Sequence, residues 1–508
     1  MSSVDYSVYL VTDSTMVPAG STFLTQVENA INAGATMVQL REKSILTLDF
    51  IERASQVHEY TKRKGIPLII NDRVDVALAI DAEGVHVGQD DMPAKMVRQL
   101  IGPNKILGVT CSFPEEVEAV CRDNVADYVG LGTIYATNTK KVKVPEGCGP
   151  IGIRKMLQVL KRHNQQHLSP IRCVAIGGIN HSNVSKVMFL CAVEGLAIDG
   201  VAIVSCIMAN PDAGQATRDF ASDVARANPW KALITLGLVS TTLKDQIDLV
   251  KHCKPLVHHI TNNVVKNFSA NITLAIGASP AMSELPDEFD EFASVPHVSL
   301  LLNVGTPTPE VLSVMKHAMK MYNNHNKHIV LDPVAAGASR SRLEASRTLL
   351  NCGQVSVIKG NLGEILAIRK LTSTYKETEG TDVLMRGVDS IANLEESQII
   401  QIGCEVSLDF KCIVVITGVK NYIVKGDEVE TVDGGHELMG SVTGTGCSLG
   451  SVIASFLGTV ADSNYNIFEI VVCAVQLYNK SGRTAGQMSQ SPGTFMINFI
   501  DQLYKDTN

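Results

Sequence analysis

Basic charge is in short supply in this sequence: 44 Lys and Arg stand against 52 Asp and Glu, a formal net charge of −8. Such a chain offers no positive field to a polyanion, so nucleic acid is excluded as a main partner and phosphate chemistry is left to a few local sites. The twelve cysteines contain no Cys-x-x-Cys pair and no paired Cys/His spacing. That excludes a disulfide frame or a zinc site and points to reduced thiols in a cytoplasmic protein. No basic region followed by an apolar run opens the chain between Met1 and Asp5, so no secretory signal is expected. No apolar run is free of charge over a bilayer's thickness either, because Glu194 and Asp199 interrupt the most membrane-like stretch, 190–207. What is present is 508 residues, 45% apolar and 19% charged. This balance buries a sizeable core and suggests two or three folding units, with two large α/β domains a good fit.

The first part alternates short β-branched runs with longer amphipathic stretches. Candidate strands fall at 8–12, 37–41, 68–71, 85–88, 106–110, 128–132, 173–176 and 201–204, with helical patterns between them, such as 50–64 and 114–122. Eight such units in roughly 220 residues predict a (β/α)8 TIM barrel, because parallel strands need crossovers and closure removes exposed edges. A last helix, 214–227, then meets Asn228-Pro229-Trp230, which marks a first domain over 1–229. A second α/β domain is expected over 236–508. Its central strands are predicted at 298–303, 329–332, 355–359 and 413–417, each ending in a polar residue, with 371–390 as a surface insertion.

Catalytic groups of a barrel come from the carboxyl ends of its strands. There the sequence places Gln39-Leu40-Arg41-Glu42-Lys43, where Arg41 and Lys43 suit a diphosphate. Asn71-Asp72 and Gly88-Gln89-Asp90-Asp91 follow, and carboxylates from neighbouring strands, Asp72 with Asp91, can share a Mg2+ ion. Strand five ends in Thr110. Strand six opens a loop through Thr137-Asn138-Thr139-Lys140, whose hydroxyls and ammonium could gather on an anion. Gly177-Gly178 and Val204-Ser205 close strands seven and eight, where glycine lets a phosphate approach the backbone. Bland readings stand beside these: a solvated charge cluster at 41–43, a helix N-cap at Asp72, a plain strand exit at Gly177-Gly178, and a packed side chain at His86.

In order and spacing, Tyr9-Leu10-Val11-Thr12-Asp13, the 39–43 run, Asn71-Asp72-Arg73, Gly84-Val85-His86-Val87-Gly88-Gln89 and the Thr-x-Thr-Lys at 137–140 resemble thiamine phosphate synthases across the whole first domain. The resemblance implies that Gln39, Arg41, Lys43, Asn71 and Lys140 hold a hydroxymethylpyrimidine diphosphate, with Mg2+ on Asp72 and Asp91. It implies that Thr137, Thr139, Gly178, Val204 and Ser205 hold a thiazole phosphate. Three positions depart from the family's habit: Thr110 replaces a usual serine, and Thr133 and Ala136 stand where proline is common.

In the second half, Gly440-Ser441-Val442-Thr443-Gly444-Thr445-Gly446-Cys447-Ser448-Leu449-Gly450 precedes an apolar helix, 452–457, so backbone N–H groups at the helix start can face a phosphoryl group. It lacks the Walker spacing. Asp332-Pro333-Val334 and Lys359-Gly360-Asn361-Leu362-Gly363-Glu364 end two strands, and the latter resembles the Asn-x-x-Glu element of ribokinase-like enzymes that organises Mg2+. Together with His258-His259-Ile260-Thr261-Asn262, Asn267-Phe268 and the segment from Gly277 to Met282, the Cys447 loop is similar to hydroxyethylthiazole kinases. That resemblance implies a ribokinase-like domain with Met282 and Gly444 at the thiazole alcohol, Lys359 and Thr417 at ATP, Glu364 at the metal, and Cys447 as the catalytic residue near the reacting hydroxyl. Lys359 stands where arginine is frequent. Cys447 also reads as a small apolar residue at a helix start, Met282 as core, and Asp332 and Glu364 as helix caps. The two resemblances imply consecutive reactions on small molecules and a trimer-based homo-oligomer, with a hexamer as one form. A phosphosugar-type barrel fused to another ribokinase-like kinase is one competing reading, and a non-catalytic ligand-binding or regulatory module with worn sites is another.

Overall fold

The computed structural model describes residues 4–137, 139, 145–226, 237, 239–376, 385, 386, 389, 390, 394–460 and 465–508. The chain divides into two compact units, Met1–Asn228 and Pro229–Asn508. Of the expected boundary, 227–236 lies outside the described residues.

In the first unit, eight parallel strands (Val8–Val11, Met37–Leu40, Leu68–Asn71, Gly84–Val87, Ile106–Cys111, Tyr128–Gly132, Arg172–Ile176 and Gly200–Ile203) close into a barrel in chain order. The first pairs with both the second and the eighth. Alternate residues serve two cores. Val8, Leu10, Val38, Leu40, Leu68 and Ile70 pack outward with the helices, whereas Tyr9, Val11, Met37, Ile69, Tyr128 and Val174 fill the interior. Burial on both faces is why the strands read as unbroken apolar runs. Helix Thr47–Lys64 buries Phe50, Ala54, Val57, His58 and Thr61, a single stripe at helical spacing, and stops where Gly65 turns to a φ of 69°.

Two interior glycines shape this barrel. A Cβ on Gly108 would fall 2.1 Å from Cζ of Tyr128, and one on Gly130 would fall 3.3 Å from Cε1 of His86. The fifth and sixth strands thus leave room for two large polar rings. The membrane-like stretch at 190–207 breaks into a small hairpin, Ala192–Val193 with Leu196–Ala197, then the eighth strand and the short helix Ser205–Met208. No helix among the described residues is long and apolar enough to cross a membrane.

The second unit is built on an eight-stranded sheet ordered Ser279–Ala281, Leu256–Ile260, Val298–Asn303, His328–Asp332, Val357–Asn361, Ile413–Thr417, Lys420–Lys425 and Glu428–Asp433. The first six run parallel and the last two are antiparallel additions. The strand expected at 355–359 starts two residues later and runs on to Asn361, which stays in register with Thr417. The helix expected from 452 begins at Thr445, because Gly444, at a φ of 97°, turns the chain directly into it. Within the insertion, 377–384, 387 and 388 lie outside the described residues, and Met385–Arg386 pairs with Asp389–Ser390.

Candidate active sites

Strand alternation carries the inward direction from Met37 to Gln39, from Ile69 to Asn71, from Gly84 to His86 and from Gly108 to Thr110. These polar residues therefore sit inside the carboxyl end of the barrel, above its apolar filling. Gln39 Nε2 donates to Tyr9 Oη at 2.7 Å, and the Tyr9 and Tyr128 hydroxyls meet at 2.7 Å. His86 Nδ1 lies 2.8 Å from Tyr128 Oη and its Nε2 lies 2.7 Å from Thr110 Oγ1. Asn71 is buried, and its Nδ2 finds no partner among the described residues. An orphaned buried amide at a strand tip is costly unless a ligand completes it.

Beside this interior stands the acidic pair. Asp72 adopts a φ of 62° and makes an ion pair with Lys43. Burial, reinforced by the Asp91 carboxyl hydrogen-bonded to it, raises the Asp72 carboxyl above its usual range despite Lys43. Asp91 also accepts the Gly88 N–H at 2.8 Å. Two carboxyls this close fit a hard cation that takes its remaining oxygens from water and a diphosphate. Among the described residues no group of three His, Cys, Asp or Glu side chains is arranged to hold a metal ion alone. Asp72 is not the helix cap: Arg73 occupies the N-cap of Val74–Ala79, with no side-chain bond.

The 39–43 run disperses. Leu40 is fully buried in the helix-facing core, so only its backbone can face the interior. Arg41 leans on Asp13 at 3.5 Å. Glu42 accepts from Ser14 at 2.8 Å and from Arg53 at 2.7 Å, which ties the loop down. Thr137 Oγ1 accepts the Thr139 N–H at 3.2 Å, while Asn138 and Lys140 lie outside the described residues. Gly178, at a φ of 67°, passes so near that loop that a Cβ would lie 2.7 Å from the Ala136 carbonyl. Val204 and Ser205 follow the eighth strand, neighbour of the seventh, and Ser205 opens the short helix. Tyr9 and Tyr128 are the interior polar residues that sequence reading missed. For Tyr128 the signal was Gly108, whose missing side chain leaves the space that the tyrosine ring fills.

In the second unit the polar strand ends converge. Asn303 and Asp332 are register partners, and Asn303 Nδ2 donates to Asp332 Oδ2 at 3.0 Å. Lys359 Nζ donates to the same oxygen at 2.9 Å and to the Gly446 carbonyl at 2.7 Å. Lys359 thus braces the first turn of the helix that carries Cys447. Asp332 is fully buried, its Oδ1 finds no hydrogen-bond partner among the described residues, and the Cys447 thiol lies close enough to the carboxyl to interact with it. Burial, then the Asp332 charge, pushes that thiol up to about 12, the opposite of the lowering a helix start alone would give. Glu364 accepts the N–H groups of Ala335 and Asn361, each at 2.8 Å, and forms a capping box with Asn361. Burial, with Asp332 nearby, raises its carboxyl to about 7. Thr417 ends its strand opposite Asn361. Met282, half-buried, follows the strand Ser279–Ala281, and Gly444 would bring a Cβ within 3.1 Å of Phe268. Helix Lys266–Ala275, which carries Phe268, packs against both that strand and helix Thr445–Leu457.

Both units are similar to known proteins. The family model "Thiamine monophosphate synthase" matches residues 8–207 and "Hydroxyethylthiazole kinase family" matches residues 247–508. The "Thiamine biosynthetic bifunctional enzyme" of Saccharomyces cerevisiae is 40% identical, over 99% of this chain and 95% of its own. The chain belongs to the family of bifunctional thiamine biosynthetic enzymes. The "Probable thiamine biosynthetic bifunctional enzyme" of Schizosaccharomyces pombe is 38% identical over 99% of this chain and 96% of its own. A "Hydroxyethylthiazole kinase" of a Thermoanaerobacter species is 36% identical over 52% of this chain and 95% of its own. This bifunctional enzyme therefore joins a thiamine phosphate synthase, on a TIM barrel, to a hydroxyethylthiazole kinase on an α/β domain built on an eight-stranded sheet, and the kinase family implies use of ATP.

Proposed function

We propose that the two activities divide at the linker, with coupling in 1–229 and phosphorylation in 236–508. The kinase half transfers a phosphoryl group from ATP to 4-methyl-5-(2-hydroxyethyl)thiazole. The barrel condenses the resulting phosphate with hydroxymethylpyrimidine diphosphate, releasing diphosphate and giving thiamine phosphate. The juxtaposition of Asp72, Asp91 and Lys43 at one end of the barrel, next to the orphaned Asn71 amide, supports the first half most strongly.

Gln39, Asn71 and Thr110 orient the pyrimidine, and Arg41, Lys43 and Lys140 stabilise charge on the departing diphosphate. Thr137, Asn138, Thr139, Gly178, Val204 and Ser205 hold the thiazole phosphate, so the ring nitrogen meets the pyrimidine carbon without a protein nucleophile. Leu40 and Glu42 contribute through the backbone and by fixing the loop. Mg2+ on Asp72 and Asp91, when bound, neutralises diphosphate oxygens. In the kinase, Met282 and Gly444 seat the thiazole alcohol, Thr417 lines the nucleotide site, and Lys359 supports it by holding the Gly446 turn. Glu364 holds the water shell of a nucleotide-bound Mg2+. Cys447 lies against the reacting hydroxyl as a neutral thiol. We place the enzyme in the cytoplasm as a trimer-based homo-oligomer, and a monomer by light scattering contradicts that assembly.

The test is product detection by mass spectrometry with each substrate set. Asp72→Ala should abolish coupling while phosphorylation continues, and Cys447→Ala should impair phosphorylation alone. If both variants keep both activities, these assignments are wrong.

A further inference from the structure

The five side chains Gln39, Tyr9, Tyr128, His86 and Thr110 form a continuous run of hydrogen bonds inside the barrel, with links of 2.7, 2.7, 2.8 and 2.7 Å. Four of the five are buried, so water cannot repair a misplaced proton there. Burial raises both tyrosine hydroxyls above their usual range, so each keeps its proton. A hydroxyl and a neutral imidazole each bring one proton for donation. Counting protons leaves two self-consistent arrangements. In one, the Gln39 amide nitrogen donates to Tyr9, Tyr9 to Tyr128, Tyr128 to His86 Nδ1, and His86 Nε2–H to Thr110. In the other, the Gln39 amide is turned so that its Oε1 accepts from Tyr9 and the remaining bonds run the opposite way; a mixture leaves a hydroxyl proton of the run without an acceptor in it, or a link without a proton.

Gln39 turns its nitrogen to Tyr9, which selects the first arrangement. Gln39 Oε1 is then left as an acceptor at one end, and the Thr110 hydroxyl is left with its proton to donate at the other. We propose that Tyr9, Tyr128 and His86 are positioning residues that lock these two ends together as one acceptor and one donor, so that the synthase selects a 4-aminopyrimidine over its 4-oxo counterpart. An aminopyrimidine offers an exocyclic N–H donor and ring-nitrogen acceptors. The oxo tautomer offers a carbonyl acceptor and a ring N–H donor, the opposite pattern, which the chain matches only by reversing all its bonds at once. A site built to hydrogen-bond one pattern rejects the other because buried groups are left unpaired. The glycines at 108 and 130, which admit the Tyr128 and His86 rings, are the steric counterpart of this run.

This inference rests on the reading that the barrel binds the pyrimidine diphosphate. The test uses the full-length enzyme, thiazole phosphate, and the diphosphates of the 4-amino and 4-oxo pyrimidines, comparing kcat/KM for the two. Tyr128→Phe keeps the ring in its slot and removes both central links; Tyr9→Phe cuts the run elsewhere. Both should lower the amino-to-oxo preference at least tenfold, with the loss partly in weaker rejection of the oxo compound, which a general loss of fold does not produce. Nitrogen NMR of His86 should show the proton on Nε2 in the parent and a mixed tautomer in Tyr128→Phe. A preference unchanged in both variants, or a parent His86 protonated on Nδ1, overturns the inference while leaving the site assignment intact. A parent enzyme that does not couple the amino compound overturns the site assignment and this inference with it.

Discussion

Replacing Lys359 with methionine keeps much of the side chain's bulk and removes its charge. The ammonium lies 2.9 Å from Asp332 Oδ2, a separation worth roughly 6 kcal/mol of attraction at an effective dielectric of about 20. Desolvation of the two buried ions offsets much of that. What the substitution exposes is mainly the penalty of an unpaired charge on Asp332, about 3–5 kcal/mol. Burial already raises the Asp332 carboxyl, and without the lysine it takes up a proton instead of standing charged. A carboxyl raised in the folded state holds its proton there more tightly than in the unfolded chain, so stability falls as pH rises. Lys359→Met should therefore be more destabilising at pH 8 than at pH 6. Adding Asp332→Asn should restore most of the loss, because no buried charge remains. Hydrogen exchange of the strand His328–Asp332, together with urea inactivation of the kinase, measures both effects. A loss below about 1 kcal/mol at pH 8, or a double variant no more stable than the single one, refutes the reasoning.

Gly108→Ala puts a methyl 2.1 Å from Cζ of Tyr128; it should cost the barrel about 1–3 kcal/mol and lower coupling, seen as earlier thermal loss of synthase activity with kinase activity kept. Burial lowers His259 and His328 to about 4, so the unfolded chain takes up protons before the folded one does. The stability this represents is present above about pH 6.5 and lost as pH falls towards 4, up to roughly 3 kcal/mol for each histidine. Urea inactivation of the kinase at pH 7.5 and pH 5 reads that slope, which His328→Asn should flatten; an unchanged slope contradicts it. With its thiol at about 12, Cys447 stays neutral, so the pH profile of phosphorylation should keep its shape in Cys447→Ser between about pH 6 and pH 9. A limb that vanishes with the sulfur would make the thiolate a base after all.

Strands were the most readable part of the sequence, because residues buried on both faces leave apolar runs whose ends fall within a residue or two of the observed ones. Val298–Asn303 and Ile413–Thr417 coincide with the expectation. Edge elements were not legible: Lys420–Lys425 and Glu428–Asp433 carry too much charge to resemble the buried strands they extend. The early start of the helix at Thr445 was hidden by Gly446 and Cys447, small residues of poor helix propensity that look like loop. At the sites, residue types could be read but not partners. Nothing in Gln39 to Lys43 says that Glu42 is tied to Ser14 and Arg53 while Lys43 turns to Asp72. Such pairings join residues far apart in the chain, and only the closed barrel brings them together.

Closure has a consequence for how the protein is made. The ring cannot shut until the eighth strand, Gly200–Ile203, emerges to meet the first, and every residue proposed for the synthase site, from Gln39 to Ser205, has left the ribosome soon after. The earlier catalyst can thus assemble during translation, in keeping with domain-by-domain folding from the N-terminus. The kinase waits far longer, since the first turn of its Cys447 helix is clamped by Lys359 across 87 intervening peptide bonds of chain and is made long after the barrel strands. Birth order in this chain is the reverse of reaction order: the enzyme that acts second is finished first.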